Sequence, residues 1–293
     1  MDFKPNNITA KEFLDNFINK GLRSYSSKRN YDFGLSNKSN VSRLSPFIRR
    51  RIIHEKAVLK NCLKNNKFAN IEKFIQEIFW RTYWKGWLEG RKDVWKDYNK
   101  KLNFLKDDLN FKTFRKDYSK AISGNSGIHC FDSWVEELVS TGYLHNHSRM
   151  WFASIWIFTL NLPWELGADF FYQNLLDADP ASNTLSWRWV AGLQTEGKVY
   201  LANEENIEKF STFKFSKKPV LAKKPKLPPY INYSYVPPTF EEKKISHDET
   251  FLVTLDNLIY SDHQIDKIKN FNVLFLDQRS ENSKENINPN FFQ

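Results

Sequence analysis

The sequence predicts an all-α fold with a short C-terminal extension, on three observations. Apolar residues recur at helical spacing from Ser45 to Trp189. A segment rich in lysine and proline then stops any regular helix, and only after it do two short runs of strand character appear. A chain of 293 residues has room for one main domain of about 200 residues with appendages.

Residues 1–40 read as an N-terminal helix and loop. Phe13, Leu14, Phe17 and Ile18 form a short amphipathic stretch, and the chain turns Ser/Asn/Lys-rich at Ser36 to Asn40. The helical domain, 41–213, opens on Val41-Ser42-Arg43-Leu44-Ser45-Pro46. Ser45 as cap and Pro46 at the first helical position predict a helix N-terminus with free N–H groups beside two hydroxyls. Such an end attracts anions, although an ordinary capped helix would look the same. In the 71–89 helix, Ile71, Phe74, Ile75, Ile78 and Phe79 mark the core stripe. Glu77, Arg81 and Trp84 then share another face with Trp80 close by, a surface that a plain salt-bridged helix would also present. Phe131, Trp134, Val135, Leu138 and Val139 form a further stripe, closed by Gly142 as C-cap. The most apolar stretch, Trp151 to Trp164, reads as a buried helix and is too short to cross about 30 Å of hydrocarbon. From Lys214 to Lys244 six prolines and many lysines give an extended linker or surface wrap, set at 214–245. The extension, 246–293, holds the strand-like runs Phe251 to Leu255 and Phe271 to Leu276 and ends in a tail of disordered composition.

Composition narrows the function. Ten Trp and 25 Phe exceed the needs of a core and suggest stacking platforms for a flat ligand. A net charge of +10 and a pI near 9.3 favour an anionic partner, nucleic acid first. The N-terminus lacks a cationic region followed by an apolar run, so no secretory signal is visible and a cytoplasmic place is expected. Cys62 and Cys130 lie far apart without a CxxC partner, which speaks against a disulfide framework or a cysteine metal site. His145, His147, Asp177 and Asp179 are residue types that bind divalent ions. An H-x-H and a D-x-D without a third anchoring motif are not enough to assign a metal.

Four runs, SRLSP, EIFWRTYW, TGYLHNHSRM and DADPASNTLSWRWVAG, occur in this order and resemble the FAD-binding helical domain of the DNA photolyase/cryptochrome family over about residues 25–213. The resemblance implies an all-helical domain that holds FAD in a U shape and passes an electron, under light, to a pyrimidine dimer in DNA. It implies that Tyr25 and Ser42, Arg43, Leu44 and Ser45 hold the FAD phosphates with Arg81, and that Phe74 stands beside the flavin. Asn146 would approach both adenine and substrate. Arg149 and Asp177 would form an ion pair beside the flavin ring, with Asp179 accepting from its edge and Asn183 facing N5. Glu77, Trp80, Asn146, Met150 and Trp189 would line the dimer pocket, Glu77 also stabilising charge on the thymine. Trp187 and Trp164 match the first two members of an electron-transfer chain whose third place offers only Phe111 or Phe114.

Departures from the family pattern are Val41 in the phosphate loop, His147 where Arg is common, and Ala121 in place of a Trp. The family's usual domain of about 200 residues before Tyr25 is reduced to 24 residues, so no antenna chromophore is expected, and two cysteines cannot hold an iron–sulfur cluster. The sequence therefore points to FAD-dependent, light-driven repair by a monomer acting on single-stranded or dimer-containing DNA. Arg49, Arg50, Arg51 and the Lys-rich linker are the expected phosphate contacts. A flavin-binding light sensor or DNA-binding protein without repair, and a scaffold that no longer holds FAD, are the alternatives.

Overall fold

A computed structural model describes residues 3–35, 37–107, 111–212, 214–215, 218–239, 250–253, 258 and 270–273. Among the described residues the body of the chain is helical. Helix α1 (Asn7–Lys20) starts where Asn6 accepts the Thr9 N–H at 2.8 Å and buries Ala10, Leu14 and Phe17. The following stretch is not a plain loop. A 3₁₀ turn (Leu22–Ser24) runs into the short α2 (Tyr25–Lys28).

The SRLSP segment differs from expectation. Helix α3 spans only Ser45–Arg49, and its cap is Leu44, which makes no side-chain cap bond. Ser45 is the first helical residue rather than the cap, while the Ser42 hydroxyl accepts the Leu44 N–H at 3.4 Å. The backbone reverses at Arg43, whose φ of 53° lies in the left-handed region, so the turn is set one residue earlier than a Ser-Pro cap would set it. Helices α4 (Glu55–Lys64) and α5 (Phe68–Glu89) follow. On α5, Ile71, Phe74, Ile75 and Ile78 are buried as their spacing predicts, but Phe79 is exposed.

Helices α6 (Lys92–Asp107), α7 (Phe111–Ile122) and α8 (His129–Thr141) come next. Helix α8 ends at Gly142, whose φ of 67° lets its N–H reach Leu138 O at 2.8 Å. Of its apolar stripe only Val139 faces solvent. The run Trp151 to Trp164 is not one helix. Helix α9 (Asn146–Ser154) passes into a π turn (Ile155–Thr159), and the chain breaks before α10 (Trp164–Asn174). Pro163 cannot continue the ladder, Asn161 takes a φ of 53°, and the Leu160 N–H bonds back to Ile155 O at 2.9 Å. Helix α11 (Pro180–Val190) is capped by Asp179, and α12 (Glu204–Phe210) by Asn203.

Two cores result. The larger packs Phe131, Trp134, Trp151, Phe152, Trp156 and Trp187 among α8 to α11; the smaller packs Leu14, Phe17, Phe47, Phe74 and Tyr143 beneath α1, α3 and α5. Residues 218–239 run extended over the surface, with Leu221 buried and the Val236 N–H donating to Gly90 O at 2.8 Å. Strands β1 (Thr250–Val253) and β2 (Asn270–Val273) pair in parallel, Phe251 opposite Phe271; the other residues of the extension except Leu258, including its tail, lie outside the described residues. No helix among the described residues is long and apolar enough to cross a membrane.

Candidate FAD and nucleic-acid site

Helix α11 packs on α10, α5 and α9, and α2 packs on α5, so the motif residues meet where these helices converge. Asp179 stands at the start of α11. One carboxylate oxygen accepts the Ser182 N–H at 2.9 Å, and the other faces Arg81 Nη2 at 3.5 Å, Arg49 Nε at 3.6 Å and Lys85 Nζ at 3.6 Å. Burial would raise its pKa, but the three cations outweigh that and hold it below the usual carboxylate range. Burial in turn lowers the Lys85 ammonium, against the pull of Asp179. Both Asp179 oxygens are thus engaged by the protein itself.

Two residues before, ahead of α11, Asp177 forms a two-pronged pair with Arg149 of α9, Nη1–Oδ1 at 3.1 Å and Nη2–Oδ2 at 3.0 Å, a geometry that fixes both planes. Arg149 Nε also donates to Leu144 O at 3.0 Å. Asn183, one turn into α11, donates its amide to Ala168 O of α10 at 2.8 Å, so its carbonyl oxygen is turned away from that contact. Tyr25 is half-buried and edge-on to Phe74 with centroids 5.3 Å apart, and burial pushes its hydroxyl pKa up.

Glu77, Trp80, Asn146, Met150 and Trp189 are half-buried or exposed. Burial raises the Glu77 pKa against the pull of Lys73 and Arg29, and Arg29 Nε lies 3.8 Å from its carboxylate. Trp80 has Tyr83 and Trp84 as ring neighbours. Trp189 stacks on Tyr200 at 5.7 Å, so the two indoles are not stacked on each other. Trp187 and Trp164 are buried in the larger core. Trp164 lies 5.4 Å from Tyr98, which is 5.3 Å from Trp95, and Trp187 lies 6.2 Å from Trp156. Those neighbours were not singled out in the sequence.

Several expectations change. Arg49 and Arg50 are buried, Arg49 donating to Ala178 O at 2.7 Å, and of the three arginines only Arg51 is exposed. His147 is a structural residue: Nδ1 meets Asn30 O at 2.9 Å, Nε2 meets the Tyr200 hydroxyl at 3.3 Å, and the ring stacks on Trp151 at 4.3 Å. His145 caps α9 by accepting the His147 N–H at 3.2 Å; burial lowers its pKa to about 4. Burial raises both thiols, Cys62 and Cys130, to about 12. Sequence reading missed the ion cluster that sets the loop before Ser42. Lys38 Nζ lies 3.0 Å from both Asp32 and Glu137, all three buried, and Ser148 donates to Asp32 at 2.8 Å.

The residues fit FAD. Arg49, Arg81 and Lys85 converge on Asp179, with Arg81 Nε also 3.8 Å from Glu55, and buried Nε and Nη2 of Arg81 make no hydrogen bond, so three cations face two carboxylates, an excess suited to phosphate. The Trp187 indole N–H is likewise buried without a partner.

Comparison with known proteins agrees. Residues 74–218 match the FAD binding domain of DNA photolyase. The chain is 31% identical over 195 residues to a deoxyribodipyrimidine photo-lyase of Agrobacterium fabrum, covering 64% of this chain and 38% of that one. It is 27% identical over 188 residues to that of Alkalihalophilus pseudofirmus, with the same coverage of each chain. It therefore spans about two fifths of the length of these curated relatives. Among solved structures, a class III photolyase from Agrobacterium tumefaciens superposes with a TM-score of 0.59 at 28% identity, over 71% of this chain and 43% of that one. A Synechocystis cryptochrome shares the fold at a TM-score of 0.56 and 21% identity, over 72% and 44% of the two chains. The helical body, its motif residues and these matches place the chain in the DNA photolyase/cryptochrome family, of which it carries the FAD-binding domain.

Proposed function

We propose that the chain binds FAD and with it splits cyclobutane pyrimidine dimers in DNA under light. The observation that carries this reading is the division of the site into an enclosed polar part, Asp177, Asp179 and Asn183, and an accessible rim of Glu77, Trp80, Asn146, Met150 and Trp189. Bound FAD would supply the light-absorbing electron donor. The Ser42, Arg43, Leu44 and Ser45 loop, Tyr25 and Arg81 hold its phosphates, and Phe74 closes one side. Asn146 would serve adenine and substrate together, the Arg149–Asp177 pair would position the flavin ring, and Asn183, its amide held on Ala168 O, would face the ring edge with its carbonyl oxygen. Glu77 stands on the rim with its pKa raised by burial against the pull of Lys73 and Arg29, and in its protonated form it would donate a hydrogen bond to a thymine carbonyl and stabilise negative charge there. Trp80 and Trp189 offer faces to bases turned out of the helix. Trp187 and Trp164, both buried in the larger core, are oxidisable rings that would lie on a path for electrons from an external reductant to bound FAD.

One observation favours a second reading, a flavin-binding light sensor or DNA-binding protein without repair. Arg49, Arg50 and His147 are committed to internal contacts and so are withdrawn from the phosphates. The test is chemically reduced, FAD-loaded protein illuminated with a dimer-containing oligonucleotide, with recovery of thymine absorbance as the readout. Recovery under light and none in the dark is expected. Binding without recovery assigns the chain to the second reading, and colourless protein that takes up no FAD rejects both.

A further inference from the structure

Helix α5 carries a row of rings that the dimer pocket uses only at its start. Trp80, Trp84 and Trp87 follow one another at i, i+4 and i+7, with Phe79 and Tyr83 alongside. Phe79, Trp80 and Tyr83 are 57, 47 and 52% exposed. Trp80, Tyr83 and Trp84 lie in mutual ring contact at 5.3 to 5.5 Å. Beyond them the Arg91 guanidinium sits 4.4 Å from the Trp87 ring and 5.2 Å from the Tyr235 ring. The row therefore continues onto the 218–239 segment, which is pinned by Val236 N–H to Gly90 O and by the Tyr233 hydroxyl to Asp97 at 3.0 Å.

We propose that this row is a stacking track for an unpaired DNA strand running on from the base seated at Trp80. The proposal rests on the DNA-binding part of the function above and extends it beyond the lesion. The chemistry selects the occupant. From Phe79 to Trp87 the large exposed apolar side chains are flat rings, the row is continuous with Trp80 of the dimer pocket, and rings take any base because every base has a π face. Arg91 and Lys92 supply positive charge beside the end of the row against the one carboxylate of Glu89, Lys85 being turned to Asp179, while Asp93 and Asp97 are taken up by Lys96 and Tyr233. From Trp80 to Glu89 the helix rises about 14 Å, room for about two to four nucleotides.

The test titrates the full chain with oligothymidylates of about 4 to about 16 nucleotides, reading tryptophan quenching and the anisotropy of an end-labelled strand. Affinity should grow with length, and Trp87→Ala should weaken the long strand by about 5- to 150-fold, as expected for one lost platform. Gly86 provides a variant that leaves the fold intact. A Cβ there meets nothing within 4 Å, and glutamate is a better helix former than glycine. Gly86→Glu should keep its helical circular dichroism yet repel the phosphates, weakening the long strand and leaving the shortest unchanged. Length-independent affinity, or both variants binding the long strand as tightly as wild type, would overturn the track. So would a dimer in light scattering that Gly86→Glu dissociates, since the face would then belong to a second copy. FAD content and thymine recovery are measured separately. Repair without length dependence removes the track alone, and length dependence without FAD uptake removes the repair reading alone.

Discussion

At the scale of single residues, the site depends on buried charges whose partners come from distant parts of the chain. Arg149→Ala would leave Asp177 buried without its guanidinium, which should cost about 3 kcal/mol and lower the flavin absorbance per chain after reconstitution. Unchanged denaturation midpoint and flavin content would reject a positioning role for the pair. The pair was legible in the sequence because both residues sit in runs matching one family. The Asp32–Lys38–Glu137 cluster was not, since Glu137 lies 99 residues from Lys38 on a helix whose apolar spacing looks ordinary. The same region sets a pH dependence. His145 accepts the His147 N–H through Nδ1, so the fold requires its neutral form, and burial lowers its pKa from 6.5 to about 4. A depressed pKa gives stability that is present above about pH 6.5 and is lost as pH falls through about 4, on the order of 3 kcal/mol. Asp32 adds a second loss further down. Burial would raise its pKa, but Lys38, His145 and the Ser148 hydrogen bond bring it from 3.8 to about 2, so its contribution disappears as pH falls through about 2. His145→Asn keeps a side-chain cap acceptor and removes the titration. Its melting temperature should therefore fall less than that of wild type between about pH 7 and pH 4, and parallel curves would rule out His145 as the titrating group.

Elements were legible where a residue dictates backbone geometry and opaque where only apolar character speaks. Gly142 announced the end of α8 because few residues other than glycine tolerate its left-handed φ. The Ser-Pro signal misplaced the cap of α3, because the left-handed turn at Arg43 leaves no local trace. The run Trp151 to Trp164 carried no register that could reveal the π turn within it, since every face of a buried segment is apolar. Only Pro163 hinted at the break. The same crowding around α10 gives a prediction. A Cβ on Gly167 would lie 2.3 Å from the Trp187 ring and 2.9 Å from Trp156 Nε1, so the close approach of α10 and α11 requires glycine here. Helix propensity alone would make Gly167→Ala stabilising by about 1 kcal/mol. Overpacking two buried indoles should cost about 1–3 kcal/mol and decide the sign. A lower midpoint in urea with altered near-ultraviolet tryptophan dichroism is expected, and a midpoint raised above wild type would show that the two helices can part without cost.

For the whole molecule, the net charge of +10 overstates what the surface can offer to an anionic partner. Lys38, Arg49, Arg50 and Arg188 are buried, and their charge serves the fold and the cofactor site instead. Composition counts charges without regard to depth, so the basic character of the chain was legible from sequence while its allotment among fold, cofactor and strand was not. The partition can be measured through salt dependence, because each phosphate neutralised contributes about 0.9 to the negative slope of log affinity against log salt. Arg51 is exposed with a φ of 54°, and asparagine tolerates that backbone. Arg51→Asn should therefore flatten the slope by about 0.9 with little change in stability. Arg49→Met removes a charge of the same sign two residues earlier, but that charge is directed at Asp179 and Ala178 O. It should lower the unfolding midpoint and the flavin content while leaving the slope of oligonucleotide binding unchanged. Equal slope changes for the two variants would mean that Arg49 reaches the strand, and the division between charges that hold the cofactor site together and charges that hold DNA would fail.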